Sequence, residues 1–583
     1  MYLKGLTIKN FRCIKNATID FNEGVNILIG ENNSGKTAIL DALRICLCYG
    51  KQRRDIYISL NDFHVDKNNP ASESGDIEFN LYFEIQQDVE TGIYLDFLSV
   101  RDDGHQELKL NFRYFIEERN GNKRVKYRVW GGDNEGQLIT PEVLDLIYFV
   151  HLDALRDAVR YLKPVRGNRL GELYAKIITD ENEQEALTKK VRSTLNKDRE
   201  WHELISKGKT KVNEHLHETT IYGKEQRVEI DFLPLEFRKI IDNLRVQIPV
   251  FDDDVLENQA EQKYFDLYQN GLGYNNLIYI AIVLGDLKRM KELYNEAYVS
   301  LLIEEPEAHL HPQLQNIFFN YLNKLNKFGF QIFVTSHSPT ITAKAALDSL
   351  IVLQEKEKQI DTFSLKKSNL NNSNKKYLQK FLDVTKSQLF FSNGVILVEG
   401  ISEALLLPVF SKIMGNEYDI EKKGIEIVNL GGVAFEHFAK LFNSENPSER
   451  LSSRCAILTD DDRTDNKEIS SRAEKAKEFQ NGQLRVELAE KTFEYTLFKA
   501  GLNREILFEI FRKMHQVAST RIEPGTSLDE YAYNFLKKVE SNKAKSELSH
   551  RLALILENDA DAFAKFTVPE YIKNAIRWVT KGE

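Results

Sequence analysis

The stretch Gly30-Glu31-Asn32-Asn33-Ser34-Gly35-Lys36-Thr37 decides how the first part of the chain is expected to fold. It fits the pattern G-x-x-x-x-G-K-[ST], follows the apolar run VNILIG at 25–30 and precedes a helical pattern that continues to about Cys48. Glycines in such a loop let backbone N–H groups approach phosphate oxygens at the N-terminus of a helix. In this pattern Lys36 reaches the β- and γ-phosphates of ATP and Thr37 binds Mg²⁺. The predicted cofactor-binding residues of the loop are Gly30, Asn32, Asn33, Ser34, Gly35, Lys36, Thr37 and Ala38.

A carboxylate strand and a histidine follow later in the chain, in the order that an ATP-hydrolysing site requires. The run LLIEEP at 301–306 is an apolar strand that ends in two adjacent carboxylates, Glu304 and Glu305. Side chains alternate along a strand, so these two are expected to point in different directions. Glu304 can then hold Mg²⁺ while Glu305 polarises the attacking water. His337, which follows the strand QIFVTS at 331–336, is predicted to lie beside the γ-phosphate.

Composition limits the classes of protein to consider. The 583 residues include 79 Lys plus Arg and 88 Asp plus Glu, which gives a net charge of −9. A chain of this length is expected to form about three to five domains. Nowhere do about 18 apolar residues run together, so the sequence predicts a cytoplasmic protein with neither a membrane span nor a secretion signal. Four scattered cysteines suit neither a disulfide framework nor a zinc site, and any binding of nucleic acid depends on local basic patches.

Changes in residue pattern along the chain predict four segments of an α/β protein. Residues 76–130 hold short alternating runs typical of an antiparallel meander, and residues 155–225 carry Leu and charged residues at helical spacing. The polar stretch 355–380 is the best linker candidate, and strands alternate with helices after residue 394. The predicted segments are the first part of an ATPase domain at 1–154, a helical insertion at 155–226, the second part of the ATPase domain at 227–380, and a second parallel-sheet domain at 381–583.

Acidic residues collect at the strand ends of this second sheet. The strand GVILVE ends in Glu399, and Glu403 lies one helical turn beyond it. The strand CAILT leads into Asp460-Asp461-Asp462. If that strand continued, Asp460 and Asp462 would share one face and Asp461 would point away. The ends of parallel strands meet at one edge of an open sheet, and clustered hard oxygens there are ligands for Mg²⁺ or Mn²⁺.

The loop, carboxylate strand and histidine together resemble the ATP-binding-cassette ATPases of the SMC and RecF kind, over about 1–150 and 227–350. The resemblance implies two heads that close on each other's ATP through a signature loop, and hence a homo-oligomer, either a dimer or a tetramer. The candidate loop is Gln269-Asn270-Gly271-Leu272-Gly273-Tyr274-Asn275-Asn276, which opens a helix but departs from the usual Ser-Gly-Gly form. A glycine-rich helix start without that role is the alternative.

The acidic set resembles a TOPRIM domain, in which a glutamate follows the first strand and Asp-x-Asp follows the third. An ATPase head followed by a TOPRIM domain resembles the OLD (overcoming lysogenization defect) nucleases, the family that includes the Gabija nuclease subunit, over nearly the whole chain. The resemblance implies one metal ion on Glu399, Asp460 and Asp462, and a second metal position completed by Glu403 and Glu494. It also implies a lysine that offsets charge on the scissile phosphate, and the local pattern favours Lys545 over Lys543. The implied catalytic residues of the two sites are Glu305, His337, Glu399, Asp460, Asp462 and Lys545.

This resemblance implies an ATP-regulated, metal-dependent endonuclease that acts on double-stranded DNA, with ATP and Mg²⁺ (or Mn²⁺) as cofactors. It also implies anti-phage defence and a helicase or reverse-transcriptase partner encoded nearby. Two other interpretations stay open. A RecF-like DNA-clamping ATPase without cleavage leaves the acidic strand ends without a purpose. A TOPRIM strand transferase or primase needs a tyrosine nucleophile, which cannot be assigned among 24 tyrosines, or a zinc module that four scattered cysteines cannot build.

Overall fold

The computed structural model describes residues 1–49, 56–66, 75–86, 94, 97–100, 106–137, 139, 144, 146–154, 158–220, 226–232, 235–250, 263–293, 298–308, 310–356, 359–432, 435–463 and 469–583. The strands are β1 (Tyr2–Phe11), β2 (Ile14–Asp20), β3 (Val25–Gly30), β4 (Ile77–Glu84), β5 (Leu98–Val100), β6 (Gln106–Arg119), β7 (Asn122–Gly131), β8 (Ile147–Leu152), β9 (Gln247–Pro249), β10 (Tyr264–Asp266), β11 (Tyr298–Glu304), β12 (Gln331–Ser336), β13 (Leu350–Lys356), β14 (Gln359–Ser364), β15 (Gly394–Val398), β16 (Ile425–Asn429), β17 (Arg454–Asp460) and β18 (Leu484–Ala489). The α-helices are α1 (Lys36–Leu47), α2 (Ala158–Tyr161), α3 (Arg169–Ile177), α4 (Glu181–Lys197), α5 (Arg199–Thr219), α6 (Phe237–Asp242), α7 (Leu272–Leu293), α8 (Pro312–Leu325), α9 (Pro339–Lys344), α10 (Asn372–Phe381), α11 (Ile401–Met414), α12 (Phe435–Ala439), α13 (Ser471–Lys477), α14 (Phe493–Lys499), α15 (Asn503–Met514), α16 (Gln516–Ser519), α17 (Leu528–Ser541), α18 (Lys545–Asn558), α19 (Ala560–Lys565) and α20 (Glu570–Lys581).

The chain divides into two compact units. The first comprises residues 1–149, 300–307 and 312–583, and the second comprises residues 150–299 and 308–311. In the described part of the chain, no helix combines the length and the apolar character needed to cross a membrane. The domain boundaries predicted from the sequence at residues 154, 226 and 380 stay predictions.

An antiparallel sheet occupies the N-terminal part of the first unit. Its strand order is β2-β1-β4-β6-β5, and β7 also pairs with β6, further along that strand than β5. Along β4, buried and partly exposed residues alternate strictly, as expected where one face of a sheet is covered and the other is not. The antiparallel strands predicted at 76–130 are confirmed, because β4, β5 and β7 each pair antiparallel with β6. The meander order is wrong, since β4 pairs with β6 and not with the next strand, β5.

A second sheet of this unit carries the nucleotide motifs. Its order is β14-β13-β3-β12-β11-β8, and β13, β3, β12 and β11 run parallel. The middles of β3, β12 and β11 are completely buried, as expected for parallel strands covered on both faces. Because these strands run in the same direction, the glycine-rich loop after β3, Glu304 at the end of β11 and Ser336 at the end of β12 lie at one edge of the sheet.

The polar stretch 355–380, which composition predicts as a linker, is instead structured. It contains the end of β13, the antiparallel strand β14 and most of α10. Among its few apolar side chains, those of Ile360, Phe363, Leu365 and Leu378 are all buried. The linker prediction is therefore wrong, because a small number of apolar residues at the right spacing is enough to fix a strand and a helix.

A third sheet in the first unit consists of parallel strands in the order β16-β15-β17-β18, which confirms the second α/β sheet predicted after residue 394. Residues 395–398 of β15 are completely buried. Hydrogen bonds join this part of the chain to the nucleotide sheet: the N–H and hydroxyl of Ser452 donate to Gln354 Oε1 over 2.9 and 3.0 Å. The Ser387 hydroxyl donates to the main-chain oxygen of Pro339 over 2.9 Å.

The second unit is mainly helical, and its helices α3, α4 and α5 confirm the helical character predicted for 155–225. Ion pairs join its elements: Lys176 Nζ lies 2.5 Å from Asp286 Oδ1, and the Arg238 guanidinium lies 2.6 Å from Glu172 Oε1. The candidate signature loop at 269–276 opens a helix as expected, since α7 begins at Leu272. Its role in nucleotide binding stays a prediction.

Candidate functional site

The loop between β3 and α1 depends on two glycines. Gly30 has a φ of +150°, and a Cβ there would lie 2.3 Å from the main-chain oxygen of Leu353 on β13. Gly35 has a left-handed φ of +91° directly before α1 begins at Lys36. Larger residues are therefore disfavoured at both positions. The loop turns closely over the start of α1, where backbone N–H groups and the helix dipole favour an anion.

The ammonium group of Lys36 lies inside this loop. It donates to the main-chain oxygens of Gly30 and Glu31 over 2.9 and 2.6 Å, and to Ser34 Oγ over 3.2 Å. Burial lowers the pKa of Lys36 to about 8, against the opposing effect of the Glu305 charge. Phosphate oxygens can replace these neutral acceptors, so the loop fits the phosphates of a nucleotide.

The other predicted cofactor-binding residues lie on the same loop and the first turn of α1. Asn32, Asn33 and Thr37 are exposed, whereas Ser34 and Ala38 are buried. Asn33 has a left-handed φ of +64°, which Asn tolerates better than most residues. Thr37 is therefore placed where its hydroxyl can meet a ligand on the open side of the loop.

The end of β11 brings Glu305 to His337. The strand ends at Glu304, and Glu305 follows with a left-handed φ of +40°, so a turn and not strand alternation sets the direction of its side chain. The Glu305 N–H donates to the main-chain oxygen of Thr335 over 3.0 Å. Glu305 Oε1 lies 3.6 Å from His337 Nε2. Burial and the charge of Lys36 lower the pKa of His337, which favours its neutral form.

Glu307, which the sequence reasoning did not single out, holds the loop that carries His337. Its Oε1 accepts from the Ser336 hydroxyl over 2.9 Å and from the His337 N–H over 2.7 Å. Burial raises the pKa of Glu307, while these hydrogen bonds act in the opposite direction. The available signal was its spacing, because Glu307 comes directly after Glu304-Glu305-Pro306 at the end of a buried strand.

The third sheet gathers four of the predicted carboxylates at its carboxyl edge. Glu399 follows β15, Glu403 lies in the first turn of α11, Asp460 ends β17, and Glu494 lies in the first turn of α14. Glu403 and Glu494 are only 9% and 6% exposed. The Asp460 N–H donates to Glu399 Oε1 over 3.3 Å, and the Thr459 hydroxyl donates to the same oxygen. We call these four carboxylates, together with Asp462, the acidic cluster.

The electrostatics of the acidic cluster fit a hard divalent cation. Burial raises the pKa of Asp460 to about 8, and the charges of Glu399 and Glu494 act in the same direction. Burial also raises the pKa of Glu403 to about 7, with further contributions from Glu494 and Glu399. Carboxylates that repel one another in this way are stabilised in their charged form by a cation with oxygen ligands.

Tyr571 on α20 provides an independent sign of a ligand beside the acidic cluster. Its hydroxyl is enclosed and has no hydrogen-bond partner among the residues that the structure describes. Burial raises the pKa of Tyr571 strongly, and the charges of Asp460, Glu403 and Glu494 raise it further. A buried hydroxyl without a partner is costly, so a ligand that meets it fits this place. No pattern in the sequence marks this tyrosine.

Asp462 reaches the acidic cluster by a turn. β17 ends at Asp460, and Asp462 has a left-handed φ of +46°, so the expected sharing of one strand face does not apply. Instead, the guanidinium of Arg472 lies 2.9 Å from Asp462 Oδ2 and 3.0 Å from Glu399 Oε1, and so joins the two carboxylates. Arg472 is a further residue that the sequence reasoning missed, because nothing in the local pattern of α13 distinguishes it.

Asp461 faces other partners, as the sequence predicts, but it is not a free surface residue. It is 1% exposed. Its carboxylate accepts from the N–H and Nε of Arg463 over 3.0 and 2.7 Å and from the Lys491 N–H over 2.8 Å. These hydrogen bonds lower the pKa of Asp461 against the effect of burial. Asp461 therefore stabilises the turn that carries Asp462.

The two lysine candidates are placed differently. Lys545 begins α18, and its Nζ lies 3.3 Å from Glu494 Oε2 and 3.1 Å from Glu540 Oε1. Lys543 has a left-handed φ of +52° in the turn before α18 and, among described residues, its ammonium has no carboxylate within the 4.0 Å of an ion pair. The geometry therefore favours Lys545 as the lysine next to the acidic cluster.

Without divalent metal, we expect the stability of the protein to fall as the pH rises from about 5 to about 8. The folded-state pKa values of Asp460 and Glu403, about 8 and about 7, exceed their ordinary values of 3.8 and 4.5. The folded state therefore binds more protons in this window. A difference of one between the folded and unfolded pKa of a group corresponds to about 1.4 kcal/mol of stability. Thermal unfolding in chelator across this pH range measures the effect.

Asp460→Asn is the matched variant for this pH dependence, because it keeps the shape but does not ionise. It should flatten the fall in melting temperature, and Mg²⁺ should flatten it in the wild type, since a cation favours the deprotonated carboxylates. An equally steep fall in Asp460→Asn would show that other groups cause it.

Comparison with known families assigns both halves of the chain. The family model described as AAA ATPase domain (AAA_15) matches residues 1–128 and 145–342. The model described as the TOPRIM domain of overcoming lysogenization defect protein-like sequences matches residues 390–462. The first match covers the glycine-rich loop, β11 and His337, and the second covers β15, β17 and the carboxylates from Glu399 to Asp462.

The chain is also similar to named nucleases. It is 23% identical to Endonuclease GajA of Bacillus cereus (strain HuB5-5) over an alignment of 708 residues, which covers 100% of this chain and 99% of that protein. It is 24% identical to Old nuclease of Escherichia phage P2 over 510 residues, or 80% of each protein. Among solved structures, the C-terminal region of the Xanthomonas campestris pv. campestris OLD protein matches 33% of this chain and 94% of its own length, at 24% identity and a TM-score of 0.24.

Proposed function

Since the chain belongs to the AAA ATPase domain family and carries an OLD-like TOPRIM domain, we propose that it is an ATP-binding and ATP-hydrolysing DNA endonuclease that requires a divalent metal. The observation that carries the proposal is the convergence of Glu399, Glu403, Asp460 and Glu494 at the carboxyl edge of a parallel sheet. The similarity to proteins named as nucleases supports DNA as the substrate. Mg²⁺ is the expected cation, and Mn²⁺ fits the same oxygen ligands.

In the nuclease site, Glu399, Asp460 and Asp462 would hold one cation, and Glu403 and Glu494 would complete a second position. Divalent cations in such a site lower the pKa of a coordinated water and offset charge on a phosphodiester. Lys545, whose ammonium contacts Glu494, would stabilise the negative charge that grows on the scissile phosphate. The buried hydroxyl of Tyr571 lies near enough for the charges of Asp460, Glu403 and Glu494 to raise its pKa.

In the ATPase site, Lys36 and the backbone of its loop would bind the phosphates of ATP, and Thr37 and Glu304 would hold Mg²⁺. Glu305 would orient the attacking water and accept its proton. His337, neutral and positioned by Glu307, would donate a hydrogen bond to the γ-phosphate. The two sites share no residue, although they lie in one compact unit.

Incubation of supercoiled plasmid with the purified protein and Mg²⁺ or Mn²⁺ tests the proposal. Nicked or linear product supports the endonuclease. Relaxed closed circles would instead support a TOPRIM topoisomerase, and unchanged plasmid that is bound in an ATP-dependent way would support the RecF-like clamp. Anti-phage defence, with a helicase or reverse-transcriptase partner encoded nearby, is the cellular role we propose, and the neighbouring genes provide its test.

The proposal includes a homo-oligomer, either a dimer or a tetramer, formed through the helical segment 155–226. In α5 no residue is buried, yet Trp201, Leu204 and Val212 lie at helical spacing and are 46%, 59% and 41% exposed. Apolar side chains aligned on one helix face suit a contact between copies.

Replacing both Leu204 and Val212 with Arg is therefore expected to lower the molar mass measured by light scattering. The two new charges on each helix would be desolvated in the contact, which is costly without a partner. Ser206→Arg, an added charge at an exposed polar position of the same helix, is the control and should leave the mass unchanged. An unchanged mass in the double variant would contradict this interface.

A further inference from the structure

Two lysines near the acidic cluster lie against one aromatic ring on a surface that is otherwise rich in ion pairs. The Nζ atoms of Lys491 and Lys537 lie 4.9 and 4.3 Å from the centre of the Tyr533 ring. Lys491 Nζ also lies 5.2 Å from the centre of the Tyr495 ring. In the described parts of the chain, neither ammonium has a carboxylate within 4.0 Å. We call Lys491, Tyr533 and Lys537 the lysine ledge.

The aromatic ring holds the two ammonium groups without neutralising them. A cation over a ring face gains a modest attraction at an exposed site, and its charge stays available to another ligand. Lys499 shows the contrasting arrangement: its Nζ lies 5.1 Å from the Tyr495 ring but also 2.7 Å from Glu490 Oε2 and 2.5 Å from Asp529 Oδ1. Two carboxylates offset the charge of Lys499 at ion-pair distance, whereas among the described residues the lysine ledge has no carboxylate that close, and Asp529 acts on Lys491 only at longer range.

Hydrogen bonds join Lys491 of the lysine ledge to the turn that carries Asp461 and Asp462. The Asp462 N–H donates to the main-chain oxygen of Lys491 over 3.3 Å, and the Lys491 N–H donates to Asp461 Oδ1 over 2.8 Å. Lys491 has a left-handed φ of +59°, which is uncommon for a residue with a long side chain. These contacts fix the backbone of Lys491 directly beside Asp462.

We propose that Lys491 and Lys537, positioned by Tyr533, bind the phosphodiester backbone of the DNA that enters the acidic cluster. The chain carries a net charge of −9, and the acidic cluster adds local repulsion, so a polyanion needs fixed cations nearby to approach. The proposal rests on the endonuclease function proposed above and names the surface that binds its substrate. The ring positions the ammonium groups, and the phosphates would supply a counter-charge at ion-pair distance.

The test measures cleavage of plasmid at increasing DNA concentration and at several salt concentrations, in Mg²⁺. Lys491→Ala and Lys537→Ala should each raise the half-saturating DNA concentration roughly eightfold near about 0.1 M salt, and each should reduce the slope of log affinity against log salt by about 0.9. The maximal rate should stay within about twofold, since neither lysine belongs to the acidic cluster. Lys565→Ala, which removes the same charge at the exposed end of α19, is the matched control and should change neither quantity.

The ring is tested separately. Tyr533→Leu keeps both charges but loses the cation–π contacts, so the half-saturating DNA concentration should rise by roughly twofold to fivefold with the salt slope retained. Tyr533→Phe keeps the ring face and should behave as the wild type. Lysine variants that match Lys565→Ala, or a Phe variant as impaired as the Leu variant, would overturn the proposal while the nuclease stands. A wild type that cuts no DNA would instead remove the proposed function itself.

Discussion

Asp460→Ala and Glu399→Ala are each expected to abolish DNA cleavage while ATP hydrolysis stays within roughly threefold of the wild type. Both residues are proposed to bind a cation directly, and losing one oxygen ligand empties or misplaces that cation. The loss then includes the activation of water and the stabilisation of the leaving oxygen, which together amount to several kcal/mol, or about a thousandfold in rate. Nicking of supercoiled plasmid and release of phosphate from ATP measure the two activities on the same preparation.

The retention of ATP hydrolysis follows from the placement of the two sites. The acidic cluster lies at the edge of the sheet formed by β15 to β18, whereas Lys36 and Glu305 lie at the edge of the sheet that contains β3 and β11. The hydrogen bonds of Ser452 with Gln354 join the two sheets beside a cavity that Asn32 and Ser34 also line, at the end of β17 opposite to Asp460 and the acidic cluster. High Mg²⁺ or Mn²⁺ should partly rescue cleavage in the two variants, since weakened metal binding responds to mass action.

The control variant for this prediction must keep the hydrogen bonds that Asp461 accepts. Strand alternation suggested Asp461→Ala, but this carboxylate is 1% exposed and accepts from Arg463 and the Lys491 N–H. Ala would leave those donors without a partner and disturb the turn at Asp462. Asp461→Asn keeps one acceptor oxygen for the Arg463 and Lys491 N–H groups, although its amide NH2 then faces the Arg463 guanidinium, so DNA cleavage should fall far less than in Asp460→Ala. If Asp460→Ala and Glu399→Ala also cut normally, the nuclease assignment fails and the RecF-like clamp becomes the better explanation.

The sequence predicted those parts of the sites that depend on contiguous residues or on general rules of sheets. The loop at 30–37 needs only its glycines and the flanking strand and helix, all of which are found. The convergence of Glu399 with Asp460, some sixty residues apart in sequence, followed from the rule that parallel strands end at one edge. That rule requires only the correct strand directions, which the alternation of strands and helices already predicts.

The sequence could not predict features that depend on where a strand stops or on partners from distant elements. The side chain of Asp462 does not follow the alternation of strand side chains, because β17 ends at Asp460. Arg472 and Tyr571 have meaning only through their surroundings in the fold, and no local spacing reveals them. Glu307 had one local signal, its place directly after Glu304-Glu305-Pro306, but its role depends on the contacts with Ser336 and His337. The linker prediction for 355–380 was wrong for a related reason. The average polarity of a segment does not show the few buried side chains, such as Leu378, that decide whether the segment packs.

Lys36→Ala is expected to weaken ATP binding by about a hundredfold or more and to abolish measurable hydrolysis. Charged hydrogen bonds to phosphate contribute about 1.5–3 kcal/mol each, and an ammonium between two phosphates can make more than one. The variant should remain folded, because Lys36 contacts the loop oxygens of Gly30 and Glu31 and not the buried side chains of β3. Burial already lowers its pKa to about 8, so removing the charge also removes a desolvation cost. A well-folded Lys36→Ala protein that retains turnover would overturn the assignment.

Glu305→Gln tests the ATPase site at the hydrolysis step, after ATP has bound. The amide keeps the side-chain shape but cannot accept a proton, so ATP should bind within about threefold of the wild type and be hydrolysed at least about a hundredfold more slowly. Glu307→Gln is the matched comparison, because both carboxylates lie near Lys36. Glu307 already accepts from Ser336 and from His337 through Oε1, and the oxygen of Gln can accept the same two bonds. Slow hydrolysis in Glu307→Gln with normal hydrolysis in Glu305→Gln would move the water-orienting role to Glu307, whereas the opposite pattern would leave Glu307 as the group that positions His337.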